Sequence, residues 1–433
     1  MGYGNGSDPK PWQGRFRASV ADGFSPSGKV RRRYVYGATE QECKRHLREL
    51  RRTVWSEKHA SEVDPRTTVK RWIDEWLDDY RERARPKTFE SDSGMTKKWI
   101  VPALGQRKLK DLTARDQEKL AALMKAGGCA GTTIHYGAAL LRRILKAARV
   151  AGHHIGDPIL TIRLPPISTV SRHAIPAADA MSLLDAATHP EQWSPPPELP
   201  HVPYGQAKLL TAREHTKRGN QSRVRQAHDI AAKMDPSRWV AALLQGLRSG
   251  EARGLTWDRI DLDNGLVTID RQLQELPSKS TFPPGFEATH LEGGFWLTPP
   301  KSRAGIRRIP LVPWLRDALA SWSERQGFAA FGLVWPHPVT GGPLSKKIDL
   351  AMWKELQRVA GVASPDGGPY VLHEARHTTV SLLLAADVPE SVVISIVGHA
   401  SFAATSHYAH ADLDAARAAL MKVQDRLGLE LES

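Results

Sequence analysis

The span from His373 to His410, HEARHTTVSLLLAADVPESVVISIVGHASFAATSHYAH, constrains this chain most. It gathers His373, Arg376, His377, His399, His407 and Tyr408, separated by apolar runs that predict two short helices. Pro389 suits the first turn of the second helix, because its φ is preset and it has no N–H to satisfy. Gly398 suits the stop, because glycine tolerates the left-handed C-terminal position. Ser401 is the expected cap of a third helical turn carrying Tyr408. A spacing of three and four puts His373, Arg376 and His377 on one helix face. A cation and two imidazoles converging there suit an anion or a metal.

His373-Glu374-Ala375-Arg376-His377 matches the zinc-hydrolase pattern H-E-x-x-H, in which two histidines ligate zinc and the glutamate activates water. Arg376 counts against a metal, since a guanidinium beside the second ligand repels a cation. A helix whose histidines and arginine are satisfied at a surface is the plainest alternative.

A second stretch lies far upstream: Leu243-Leu-Gln-Gly-Leu-Arg248-Ser-Gly-Glu251-Ala-Arg-Gly-Leu-Thr-Trp257. Together with H-x-x-R-H, Gly398-His399 and the following tyrosine, it resembles the tyrosine recombinases of the phage integrase type. That family's order of Arg, Lys, His-x-x-Arg, His, Tyr falls on Arg248, Lys301, His373, Arg376, His399 and Tyr408. The resemblance implies a DNA-cleaving site in which Arg248 and Arg376 bind the scissile phosphate and His399 adds a hydrogen bond. Glu251 would orient Arg248, Tyr408 would be the nucleophile, His373 would accept its proton, and Lys301 would protonate the leaving 5′-oxygen. Lys279 is the nearest rival to Lys301. His377 would be a support or only a helix residue, and His407 and His410 have no assigned role.

Charge agrees with a polyanionic partner: the chain of 433 residues carries a net +14 and a pI near 9.8. No apolar run approaches a membrane span, and the polar N-terminus has no signal-peptide core. Cys43 and Cys129 are the only cysteines, too few for a disulfide framework or a zinc ribbon and suited to a reducing compartment.

Three domains are expected, in a multidomain α+β chain. Residues 1–60 are expected to form a small three-stranded sheet with one helix. Residues 1–10 are polar and glycine-rich, and disorder is expected there. Strands are predicted over 12–20 and 31–36, with a turn at 25–29, followed by a helix from Thr39 to about Trp55 with Glu42 as capping-box partner. Thirteen Lys/Arg stand against six Asp/Glu over residues 1–59. With the β alternation, this makes Arg15, Arg17, Arg31 and Arg33 candidate DNA contacts, a solvated basic hairpin being the alternative. In the resemblance this piece is an arm-type DNA-binding domain.

Residues 61–165 are expected to be an all-α core-binding domain. Its helices are predicted over 67–85, 87–100, 113–126 and 131–151, with Lys97, Lys98, Arg142, Arg143 and Lys146 as candidate phosphate contacts. Pro158, Pro165 and Pro166 predict an extended linker over 157–171. Residues 172–433 are expected to be a mainly α catalytic domain with a small antiparallel sheet. An insertion is expected at about 189–235, partly helical, either touching DNA or a neighbouring subunit or simply tolerated at the surface. Alternation over 296–309 predicts a β-hairpin with Lys301 near its turn. A terminal helix is predicted over 412–427, with a stripe of Leu413, Ala416, Leu420 and Val423. Relatives pack a segment here onto a neighbouring protomer, and packing on its own domain is the alternative.

The resemblance further implies a phage or mobile-element integrase that needs neither metal nor ATP, since the covalent link conserves the phosphodiester bond's free energy. It implies a homotetramer on double-stranded attachment sites, a directionality factor and a DNA-bending protein as accessory partners, and a cytoplasmic, nucleoid-associated life in a bacterial host. Two other functions fit the residues: a sequence-specific DNA-binding regulator with an inactive site, and the zinc hydrolase.

Overall fold

A computed structural model describes residues 7–24, 30–60, 64–166, 173–196, 212–278, 280–302, 305–398 and 413–426. The chain divides into two compact units, Met1–Val170 with Thr281–Pro284, and Ser171–Ser280 with Gly285–Ser433.

The first unit opens with an antiparallel sheet, β1 (Ser7–Trp12), β2 (Arg15–Phe24) and β3 (Val30–Gly37), in that order. Gln13 and Gly14, both at positive φ, form a tight turn that splits the strand expected over 12–20. The order of Ser7–Lys10 also departs from expectation: pairing such as Lys10 opposite Arg17 holds this segment in the sheet. Ala18 and Val20 of β2 face Cys43 and Leu47 of α1 (Glu40–Ala60), making a small core. Thr39 Oγ1 accepts from the Glu42 N–H (3.2 Å), the cap expected there, while the Glu42 carboxylate reaches one residue further back than a capping box and accepts from the Ala38 N–H (2.8 Å). The helix runs about one turn beyond the expected end.

Four longer helices follow, interleaved with shorter pieces. Thr68 caps α2 (Val69–Arg83), which buries Val69, Ile73, Trp76 and Leu77 at helical spacing. α3 (Pro86–Met95) continues through a π-helical turn at Thr96–Ile100 into α4 (Val101–Leu104). α5 (Ala114–Ala126) starts at a Thr113–Asp116 capping box, and α6 (Gly131–Val150) supplies much of the core through Leu140, Leu141, Ile144 and Leu145. Residues 157–161 are a short helix, α7 (Asp157–Thr161), and not an extended linker. Ile159 and Leu160 enter the same core, and burying them outweighs the prolines' preference for an extended chain.

The second unit begins with α8 (Ala177–Thr188). α9 (Ala212–Ala231) lies in the segment expected as a surface insertion, yet its C-terminal end is part of the core through Ile230 and Ala231. His228 there bonds the Glu355 carboxylate at 2.9 Å. Then come α10 (Ser237–Leu243) and α11 (Ser249–Arg253). Six short strands follow: β4 (Ile260–Asp261), β5 (Leu266–Ile269), β6 (Gln272–Glu275), β7 (Thr289–His290), β8 (Phe295–Thr298) and β9 (Arg307–Pro310). They form two antiparallel sheets, ordered β4-β5-β9 and β6-β8-β7. The hairpin expected over 296–309 is therefore absent. β8 pairs with β6 and β7, whereas β9 pairs with β5, and Lys301 sits on the crossing between two sheets.

The chain finishes with α12 (Pro313–Arg325), α13 (Lys346–Val359), α14 (Leu372–Ala385), α15 (Glu390–Val397) and α16 (Leu413–Arg426). The apolar stripe of α16 packs on its own unit: Ala416, Leu420 and Val423 are buried in the core formed with α14, α15 and β9. No helix among the described residues is long and apolar enough to cross a membrane.

Candidate active site

The site is built on the carbonyl end of α15. Gly398 takes the left-handed C-cap position (φ 66°, ψ 59°), as its place after the apolar run leads one to expect. The carbonyls of Ile396, Val397 and Gly398 then accept from three different guanidiniums. Arg307 Nε donates to Ile396 (2.8 Å), Arg376 Nη2 to Val397, and Arg248 Nη2 to Gly398 (2.7 Å). A helix C-terminus presents unpaired carbonyls and partial negative charge, so this convergence is electrostatically favourable.

Arg248 does not lie inside a helix. It is the extended residue before α11, and its Nη1 donates to Glu251 at 2.6 Å. From the other side Ser249 Oγ donates to Asp349 (2.6 Å), whose carboxylate also takes the fully buried Arg238 at 2.8 and 3.0 Å. Gly246, at φ +65° with Thr379 against its open side, forms the bend that offers its carbonyl to Arg376 Nη1 at 2.7 Å. A side chain at position 246 would be strained and crowded, which explains the glycine in the Gln-Gly-Leu-Arg stretch.

Glu251 is the sole carboxylate bonded to these cations among the described residues. It is buried, and it is gripped by Arg248 and by Arg307 in a two-pronged pair at 3.2 and 2.9 Å. Burial pushes its carboxyl up, but Arg307 and then Arg248 outweigh this and hold it at about 2. Burial, then the charges of Arg248 and Arg307, push the Arg376 guanidinium down to about 9, so it remains a cation at neutral pH. One carboxylate thus faces three cations, leaving an excess of positive charge. Arg376 Nε is buried and has no hydrogen-bond partner among the described residues.

His373 and His377 stack edge-on at 5.1 Å on α14, His373 exposed and His377 half-buried. Arg376 does not share their outlook, because its side chain is buried beneath α14. Glu374 caps α14: its carboxylate accepts from the Val371 N–H (2.7 Å) and the His173 N–H (3.4 Å). A buried, doubly bonded carboxylate is badly placed to activate a metal-bound water, which weakens the H-E-x-x-H alternative. Lys301 is exposed, on the loop closed by the Gly305 N–H to Ser302 carbonyl bond at 2.9 Å. His399, Tyr408, His407, His410, Ser401 and Lys279 lie outside the described residues.

Two family models match the chain: the phage integrase family over residues 238–414 and the phage integrase N-terminal SAM-like domain over 68–122. The chain belongs to the phage integrase family of tyrosine recombinases. An integrase of Saccharopolyspora erythraea is 23% identical over 451 residues, covering 92% of this chain and 90% of that protein. The tyrosine recombinase XerC of Xylella fastidiosa is 30% identical over 167 residues, covering 39% and 45%. Among solved structures, the Tn1549 transposon integrase in complex with transposon right end DNA superposes with a TM-score of 0.56 at 18% identity, covering 84% of this chain and 100% of that one. At that identity the likeness is one of fold.

Within this phage integrase family member, the expected DNA contacts separate. In the first unit, register puts Arg15 and Arg17 on the open face of the N-terminal sheet with Lys10, Trp12, Arg32, Tyr34 and Tyr36. Arg17 lies 4.8 Å from the Trp12 ring and 5.2 Å from that of Tyr34. Arg31 and Arg33 alternate to the opposite face, the one that carries Val35 and Val20. Lys97, Lys98 and Lys146 are exposed. Arg142 and Arg143 are tied internally: Arg142 donates to the Ile162 carbonyl, and Arg143 to the buried Asp92, which also accepts from Tyr80 and Tyr136. A lone positive residue on a helix does not reveal a buried partner 51 positions earlier. Arg307 was the residue missed. Its only sequence sign is a strand-like alternation shared with its exposed neighbour Arg308.

Proposed function

We propose that this chain is a site-specific DNA recombinase that integrates or excises a phage or mobile element through a covalent 3′-phosphotyrosyl intermediate. The observation that carries the proposal is the pair of guanidiniums, Arg248 and Arg376, anchored on adjacent carbonyls of the turn that leads into His399. Both are positioned before any ligand arrives, with one carboxylate among three cations. Preorganised cations of this kind stabilise the charge that builds on the nonbridging oxygens of a phosphodiester in the transition state.

In the proposed reaction the Tyr408 hydroxyl attacks phosphorus and the 3′-phosphotyrosyl bond forms as the bond to the 5′-oxygen breaks. His373 accepts the phenolic proton, Lys301 supplies a proton to the departing 5′-oxygen, and His399 donates to a nonbridging oxygen. Attack by the 5′-hydroxyl of a partner strand reverses these steps, so neither ATP nor a metal is required. Residues 1–60 would bind arm sites, 61–165 would hold the core duplex, and 172–433 would carry the chemistry. Partners would be double-stranded attachment sites, three further copies in a tetramer, a directionality factor and a DNA-bending protein.

Arg248→Ala and Arg376→Ala should each slow cleavage of a nicked attachment-site duplex by about 10²–10³-fold while changing its affinity only a few-fold. Gel-shift and single-turnover assays on the same duplex check this. Equal losses in affinity and rate would reduce the two arginines to phosphate anchors.

A further inference from the structure

Arg307 lies just beyond the lysine loop, at the head of β9, and is buried. Its guanidinium makes four hydrogen bonds: two to Glu251, one to the Ile396 carbonyl and one to the Gly305 carbonyl. These reach three parts of the site at once. Glu251 is the carboxylate that orients Arg248. Ile396 belongs to the helix end that also takes Arg376 and Arg248 and that precedes His399. Gly305 closes the loop that starts at Lys301. β8 and β9 lie in different sheets, and among the described residues the Arg307 bond to the Gly305 carbonyl helps tie the far end of that loop, beside the Gly305 N–H bond to Ser302.

Stability alone does not call for this arrangement. Burying an ion pair costs desolvation that its attraction seldom exceeds, and apolar replacements of matched volume are often neutral or stabilising. The fork does, however, fix both oxygens of Glu251. Without it the carboxylate could rotate, and Arg248 would lose its fixed direction. A lysine in its place keeps the charge but cannot bond two oxygens of one carboxylate and a separate carbonyl in one plane.

We propose that Arg307 is a positioning residue of the DNA-cleaving site: through Glu251 it aims Arg248 at the scissile phosphate, and through Ile396 and Gly305 it registers the helix end before His399 and the Lys301 loop to that aim. This rests on the recombinase function proposed above.

The test uses the full chain and a nicked duplex carrying its own crossover sequence, identified from recombination junctions in expressing cells. Two linkages are compared at the scissile position: the natural phosphate, and a methylphosphonate, which lacks one charged oxygen and so needs less from Arg248. Variants are Arg307→Lys and the apolar pair Glu251→Met with Arg307→Met, the second removing both buried charges together. Each should bind the duplex within a few-fold of wild type. Each should cleave the phosphate at least 10-fold more slowly, and recover most of that deficit on the methylphosphonate, as Arg248→Ala should. Variants that cleave the phosphate at the wild-type rate overturn the proposal. So do variants that lose rate equally on both linkages, or a pair that cannot fold in either form, since each outcome makes Arg307 a structural residue. If wild type forms no adduct on the natural phosphate, the recombinase function itself fails. If wild type does and the Arg307 variants match it, only the role of Arg307 falls.

Discussion

Glu251 is the buried carboxylate that Arg248 and Arg307 share. Its carboxyl sits at about 2, against an ordinary 4.5, because Arg307 and Arg248 outweigh its burial. A depressed carboxyl stabilises the fold fully above its unfolded value and loses that contribution as pH falls through its folded value. Glu251→Gln should therefore be less stable than wild type at neutral pH by about 3 kcal/mol, and the gap should close between about pH 4.5 and pH 2. Urea unfolding at a series of pH values checks this, and a gap independent of pH would mean that the charge of Glu251 does not matter. Lys301 is tested by leaving-group chemistry. Lys301→Ala should slow cleavage of normal DNA by about 10²–10⁴-fold, yet cleave a duplex with sulfur at the bridging 5′ position almost as fast as wild type, because a thiolate leaves without a proton. An equally deep defect with sulfur would remove Lys301 as the acid. Arg248, Glu251 and Arg376 were legible in the sequence because their spacings fall in a recognisable order. Arg307 was not, because its worth lies in a carboxylate 56 positions away and a carbonyl 89 positions away, which no local pattern records.

Elements were legible where one force dominated. Helices α2, α5 and α6 lie close to their expected bounds, since an apolar stripe marks each and a threonine cap fixes the start of the first two. Expectation failed where tertiary pairing decided. Alternation over 296–309 correctly marks β8 and β9 as strands but cannot say which neighbours they take. Prolines over 157–171 suggested an extended linker, but Ile159 and Leu160 found a core. The stripe on α16 was equally compatible with a partner chain, and its own unit buries it. The N-terminal sheet shows the same limit at finer grain: composition marked it as basic, and only register sorts its arginines by face. If its open face meets DNA, Arg15→Ala and Arg17→Ala should each weaken binding of the isolated arm sequence by the full chain and lower its salt dependence by about one unit of slope. Arg31→Ala and Arg33→Ala should do neither. Larger losses at Arg31 or Arg33 would place the contact on the strand edges or the helix side instead.

At the scale of the molecule, a net charge of +14 suits a duplex partner, and the family models account for one stretch in each of the two units. Charge says nothing about chemistry, however, and the fold is shared with proteins whose details differ. What distinguishes a recombinase from a DNA-binding regulator with the same fold is a covalent bond between the chain and a broken strand. That bond is the most direct test. Wild-type protein incubated with a nicked attachment-site duplex should yield a DNA adduct that survives denaturation. After protease digestion, mass spectrometry should find the nucleotide on the peptide containing Tyr408, linked through a 3′-phosphate. Tyr408→Phe should bind the duplex as tightly and yield none. An adduct that persists in Tyr408→Phe, or a wild-type protein that binds its site and never becomes attached to it, would contradict the account.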